Sequence, residues 1–274
     1  MSTLQWNKPK EWIETVTKII INLWGNNFIE ELKMNNVTPD LFDDDWLNTI
    51  IPPKEIVSHS INPLEYFATA VKTNWSHIKV FHACRVKDIA DYYSLGIVSL
   101  SIADMDRLVL QTLLPFVDEN ILENLIKIMH DHYNESDEKV FVAIDKYHLQ
   151  SFCGHHLEYG SEYLLSSIML LENFGVSIQP ILASIKGSSE TIPTIFECDV
   201  PNNSISTNDF SELSLILLTE GCKMLLLKDY YPPSRRTSFA VGSIIKSSWI
   251  KNHIFPSINA MMKTKPPIWL DTNS

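Results

Sequence analysis

Apolar residues recur at helical spacing from the start of the chain. Trp12, Val16, Ile19, Ile20 and Leu23 share one face, and Gly25 followed by Asn26-Asn27 supplies a stop. The stretch Val37 to Pro53 reads as a loop, punctuated by Pro39 and Pro52-Pro53, and a second helix is expected over Leu64 to Val71. The pattern changes at Ile78. Ile78-Lys79-Val80-Phe81 is short, β-branched and aromatic, as a buried strand is. Val86, Ile89, Ala90 and Tyr93 then suggest a helical face closed by a left-handed cap at Gly96.

Further on, helices are expected over Asp104 to Leu114 and from Asp118 to about Tyr133. In the second, Asp118 serves as N-cap and Ile121, Leu122, Leu125, Ile128 and Met129 form the buried stripe. Val140 to Ile144 reads as a core strand, followed by a polar, His-rich stretch and a helix that opens at Tyr159-Gly160-Ser161-Glu162 and ends near Leu171. Strands are expected over Ile181 to Ile185 and Thr194 to Val200, the latter ending at Pro201. A helix is expected over Asp209 to Leu218, a last strand over Phe239 to Ile245, and a short helix over Ser248 to His253. This irregular interleaving favours an α+β fold over a regular βαβ array. It divides into a helical N-terminal subdomain or arm, residues 1–74, and an α+β domain, residues 75–274.

Composition narrows the function. The chain has 274 residues, 45% hydrophobic and 20% charged, enough for a sizeable core. Its net charge of -11 opposes non-specific binding to polyanions. Charge is unevenly spread: Asp43-Asp44-Asp45 is acidic, whereas no Asp or Glu occurs between Tyr230 and Leu270, where Arg235, Arg236, Lys246, Lys251, Lys263 and Lys265 fall. That region, 235–265, is the candidate surface for a protein or nucleic-acid target. Cys84, Cys153, Cys198 and Cys222 are scattered without CxxC pairing, the N-terminus lacks a signal-peptide pattern, and no apolar run is long enough to span a bilayer. A cytoplasmic protein with free thiols and no membrane association is therefore expected.

The chain contains no Walker loop, no G-x-G-x-x-G fingerprint and no G-x-S-x-G elbow, which disfavours P-loop, Rossmann and ordinary α/β-hydrolase chemistry. Two segments carry candidate chemistry instead. In Phe81-His82-Ala83-Cys84-Arg85, an expected strand-to-helix junction, a histidine can bond ribose hydroxyls and an arginine can pair with phosphate. In Tyr159-Gly160-Ser161-Glu162, a tyrosine can stack on a base beside a hydroxyl and a carboxylate, although Ser161 also suits a helix N-cap and Glu162 a first helical turn. The donors His82, Cys84, Cys153, His155 and His156, with His130 and His132, raise a metal-dependent hydrolase as an alternative. None follows a recognised ligand spacing, so no metal site is expected.

Val80-Phe81-His82-Ala83-Cys84-Arg85, Asp88-Ile89-Ala90 and Leu95-Gly96-Ile97 together resemble the opening motif of the ADP-ribosyltransferase-like superfamily. Val140 to Asp145, Thr194 to Pro201, and Ala240 to Ile245 with Trp249-Ile250 and Pro256 are similar to its later strands. The resemblance implies a split antiparallel β core that uses NAD as substrate. His82 would contact the NAD ribose, with Cys84, Arg85, Tyr159 and Ser161 completing the NAD-binding set, and Tyr159 would stack on nicotinamide. The acid that this family carries before its closing strand is replaced here by Arg235-Arg236-Thr237-Ser238-Phe239. Glu162 or Glu197 would then supply it, or the chain is a non-catalytic binding module of the same fold.

Overall fold

The computed structural model describes residues 2–34, 62–132, 139–151, 153–227, 229–233 and 237–256. The expected loop at 37–53 with its acidic run, and the cations Arg235, Arg236, Lys263 and Lys265, lie outside the described residues. In chain order the elements begin with β1 (Thr3–Leu4), α1 (Pro9–Trp24), α2 (Phe28–Met34), α3 (Pro63–Asn74) and β2 (His77–Val86). Next come α4 (Ile89–Leu95), β3 (Ile97–Val98), α5 (Ile102–Leu113), α6 (Glu119–His132), β4 (Phe141–Ala143) and α7 (Lys146–Ser151). These are followed by α8 (Gly154–Tyr159), α9 (Glu162–Leu170), α10 (Gln179–Gly187), β5 (Ile192–Pro201) and α11 (Thr207–Leu226). The described chain ends with β6 (Ser238–Ala240), β7 (Ile244–Ile245) and β8 (Ile250–Ile254). The protein is a mixture of helix and largely antiparallel sheet, an α+β fold.

The chain forms two compact units, residues 1–79 with 199–239 and residues 80–198 with 240–274. In the first, α1, α3 and α11 pack on one another. The α1 stripe read from the sequence, Trp12 through Leu23, is buried, and Trp12 donates its indole N–H to the Trp6 carbonyl at 3.3 Å. Asn62 caps α3 through Leu64 N, and Ser206 caps α11 through Asp209 N at 3.1 Å, so both helices start on a side-chain acceptor. Gly221 is where α11 meets α1: a Cβ there would lie 2.5 Å from Val16 Cγ1. The expected helix at 209–218 therefore continues to Leu226, since its later turns are buried against α1.

The second unit has a helical layer and a sheet. Leu113, Leu122, Leu125, Tyr163, Ile168 and Ile181 belong to one buried cluster drawn from α5, α6, α9, α10 and the segment between them. Asp118 accepts from Asn120 N at 2.9 Å, as expected of the α6 N-cap. The sheet runs β4–β2–β5–β8, with Phe81 opposite Ala143 and Ile195 opposite Ile254, both antiparallel. A separate pair joins β3 to β7 through Ile97 and Ile245. Gly96 precedes that pair with φ +90° and ψ -174°, a positive-φ conformation but an extended one rather than left-handed helical. A side chain there would strike the Ile245 carbonyl oxygen, so both backbone and space require glycine.

Four expectations are corrected. The strand expected over 78–81 continues to Val86, so His82 lies within β2, and the strand-to-helix turn falls at Lys87-Asp88. β2 lies between β4 and β5 in the sheet, and its last residues include the polar Cys84 and Arg85. Residues 181–185 are helical, because this short apolar run buries Ile181 and rests Leu182 and Ile185 on the helical layer; periodicity alone does not separate the two states. The strand expected over 239–245 is broken by Gly242 at φ +51° into β6 and β7. Of the helix expected over Ser248 to His253, only Ser248 and Trp249 lie in a 3-10 turn; residues 250–253 belong to β8, because β5 offers a pairing edge from Ile195 to Cys198.

Candidate functional site

Every residue singled out from the sequence for NAD binding, catalysis or metal ligation lies in the second unit. In β2, side chains alternate between the two faces of the sheet. Phe81 and Ala83 join Leu149, Leu157, Ala143 and Ile195 in a buried apolar cluster, which leaves His82 and Cys84 for the opposite face. His82 Nδ1 lies 2.9 Å from the Phe141 carbonyl. A carbonyl only accepts, so the ring donates from Nδ1 and keeps its Nε2 lone pair free of that bond. Burial pushes the His82 pKa down to about 4, and the charge of His156 lowers it further against the Phe141 hydrogen bond. His82 is thus neutral at physiological pH.

Cys84 and Tyr92 of α4 are hydrogen-bonded, and burial pushes the Cys84 thiol up to about 12. A thiol held protonated is a poor nucleophile. Arg85 has a defined structural task. Nε donates to Thr191 Oγ1 at 2.9 Å, Nη1 to the Leu157 and Glu158 carbonyls at 3.1 Å each, and Nη2 to the Ser188 and Thr191 carbonyls at 3.2 and 2.9 Å. A guanidinium has five N–H groups, and these bonds engage all of them. The side chain fastens β2 to the end of α8 and to the approach to β5, so a phosphate would have to displace protein partners.

The second motif spans the joint between α8 and α9. Gly160 sits there at φ +97° and ψ -134°, a conformation open to glycine, and its N–H bonds back to the His156 carbonyl at 3.1 Å. Ser161 caps α9 by accepting from Leu164 N at 3.2 Å. Tyr159 ends α8 half-buried; burial first, then neighbouring Glu158, raises its pKa. Glu158 is ion-paired with Lys186 at 3.0 Å. Glu162 opens α9 half-buried, and burial raises its carboxyl above the ordinary range.

The joint brings Glu162 back onto α8. Ligand-type atoms of His155, His156 and Glu162 all lie within 4.8 Å of one another. The two imidazoles are 4.2 Å apart between ring centroids. His156 Nδ1 is 3.3 Å from the Gly160 carbonyl, which again assigns the proton to Nδ1. His155 is buried, and neither ring nitrogen has a hydrogen-bond partner. Burial pushes His155 down to about 4, helped by His156, and burial also lowers His156. Cys153 is close enough for the Glu162 charge to raise its thiol pKa, although burial is the larger cause, and its Sγ is 3.7 Å from His148 Nε2.

Of the residues chosen from sequence, Glu162 is grouped with His156, whose charge also lowers the His82 pKa. Tyr159 and Ser161 flank the same joint. Glu197 is elsewhere, on β5 opposite Asn252 of β8. The pair His130 and His132 contributes nothing to this group: His130 Nε2 binds Asp106 Oδ2 at 2.8 Å, and Tyr163 donates to the other oxygen of Asp106 at 2.6 Å. Sequence reasoning named His155 and His156 only as donors without a motif. The usable signal was two histidines followed by a glycine break and a helix-opening glutamate. Such a cluster of neutral imidazoles beside a carboxylate can bind a cation, orient a hydroxyl or stabilise positive charge.

Comparison with known proteins adds no family: no family model matches the chain, and neither a curated protein nor a solved structure does. Among the described residues no helix is long and apolar enough to cross a membrane.

Proposed function

We propose that the chain is an ADP-ribosyltransferase-like enzyme that takes NAD as substrate, with Glu162 as its catalytic carboxylate and His82 as a ribose contact. One observation supports the reading: His156, grouped with Glu162, also lowers the His82 pKa through its charge, although the two motifs lie eighty positions apart. The separate β3–β7 pair beside the larger sheet accords with a split β core.

In this reaction the bond between ribose C1′ and the nicotinamide nitrogen breaks, and the bonding electrons leave with neutral nicotinamide. Positive charge develops on the ribose, and a nearby carboxylate lowers the barrier because it attracts that charge more strongly than it attracts the ground state. The acceptor nucleophile then bonds to C1′ and gives up its proton. Tyr159 is the stacking surface for nicotinamide, and Arg85 holds α8 in register rather than meeting phosphate. The acceptor is a protein or nucleic acid drawn by the basic region 235–265.

Nicotinamide release from NAD tests the reading directly. Glu162→Gln is expected to slow it by about 10²–10³-fold, His82→Ala to weaken NAD binding, and Glu197→Gln to leave both unchanged. Binding without release in the wild type would point to the non-catalytic module. Neither binding nor release at millimolar NAD would overturn the proposal.

A further inference from the structure

We propose that His155, His156 and Glu162 bind one first-row transition dication of the zinc class, and that the ion governs the site by taking the Glu162 carboxylate from substrate. The second half rests on the NAD reading above; the first half stands by itself.

The donor set is the starting point. Two imidazoles and one carboxylate suit zinc and its neighbours, whereas magnesium and calcium seek oxygen ligands. Tetrahedral zinc with bonds of about 2.1 Å places its donor atoms ~3.4 Å apart. The three donors here lie within 4.8 Å of one another, close to that spacing. Their protonation is also suitable. His156 donates from Nδ1 to the Gly160 carbonyl at 3.3 Å, the outer-shell contact that commonly orients a metal-binding imidazole, and this leaves Nε2 to coordinate.

His155 supplies an independent reason. It is 7% exposed, and both ring nitrogens are buried without a hydrogen-bond partner. A polar ring left in that state costs about 1–3 kcal/mol, and a coordinating ion at one nitrogen removes much of that cost. Three protein ligands leave a tetrahedral ion one open position, which a water or a substrate oxygen can take. Glu162 cannot both coordinate the ion and face a developing ribose cation, so loading the site lowers transferase turnover.

The test is titration of chelator-treated full-length protein with Zn(II), read by calorimetry, with Mg(II) as comparison. One equivalent of Zn(II) is expected to bind, at least ~100-fold more weakly in His155→Leu and in Glu162→Gln, and Mg(II) to bind far less tightly. Cooperative thermal melting of both variants checks that they fold, and Glu162→Gln, nearly isosteric and half-exposed, guards against a folding defect in His155→Leu. No Zn(II) binding, undiminished binding in both variants, or equal Mg(II) affinity overturns the site. Nicotinamide release is then measured with and without Zn(II). Undiminished release with zinc bound overturns the governing role. If no nicotinamide is released even after chelation, the transferase reading and the governing role fall together, while the metal site is judged on the titration alone.

Discussion

Glu220 and His155 are both buried ionisable side chains, one in each compact unit, and their surroundings differ in kind. Glu220, on α11 with no exposed surface, is ion-paired with Lys223 at 3.2 Å and accepts from the Tyr230 hydroxyl at 2.6 Å. His155 has no partner for either nitrogen. A satisfied buried charge is bound into the fold, and removing it leaves its partners stranded. An unsatisfied buried ring stabilises nothing by hydrogen bonding, so the fold can lose it cheaply. The difference separates a structural polar group from one kept for another purpose.

The largest effect should come from breaking the satisfied side. Glu220→Ala is expected to cost about 3–5 kcal/mol, because it removes a buried carboxylate's ion pair with Lys223 and its bond from Tyr230; urea unfolding measures it, and a loss below ~1 kcal/mol would erase the contrast. Next is pH. His82 is held down to about 4 in the fold against about 6.5 in an unfolded chain. Its neutral state therefore contributes full stability above pH 6.5, and the contribution is lost as pH falls from 6.5 toward 4, since the unfolded chain takes up the proton first. Unfolding curves at pH 7 and 4.5 should show a larger loss in the wild type than in His82→Gln; parallel losses would mean that His82 titrates normally. The smallest effect is expected on the unsatisfied side. In metal-free protein, His155→Leu should leave stability undiminished or raise it by about 1 kcal/mol in the same urea curves, the low end of what the unsatisfied ring costs.

Legibility from sequence followed the same division between local and distant causes. The stripes of α1 and α6 and the caps Asp118 and Ser161 could be read because their determinants lie within a few residues. The extension of β2 could not, since Cys84 and Arg85 resemble the polar start of a helix until β4 and β5 are alongside. Arg85 reads as a phosphate ligand in isolation, whereas its acceptors lie 72 to 106 residues away in sequence. Glu162 stood out beside Tyr159. That His155 and His156 face it depends on the bend at Gly160, a three-dimensional property with no spacing rule behind it.

The discontinuous make-up of the two units has a consequence for the order of synthesis. On the ribosome, residues 1–79 emerge long before α11, the helix against which α1 and α3 pack. Their apolar faces must wait through the translation of 120 further residues, 80–199, before Thr207 to Leu226 arrive. The second unit waits as well, since β5 gains β8 only after that helix has been made. Neither unit is encoded by one uninterrupted stretch, so the first cannot be completed before residues 199–239 have been made, nor the second before β8.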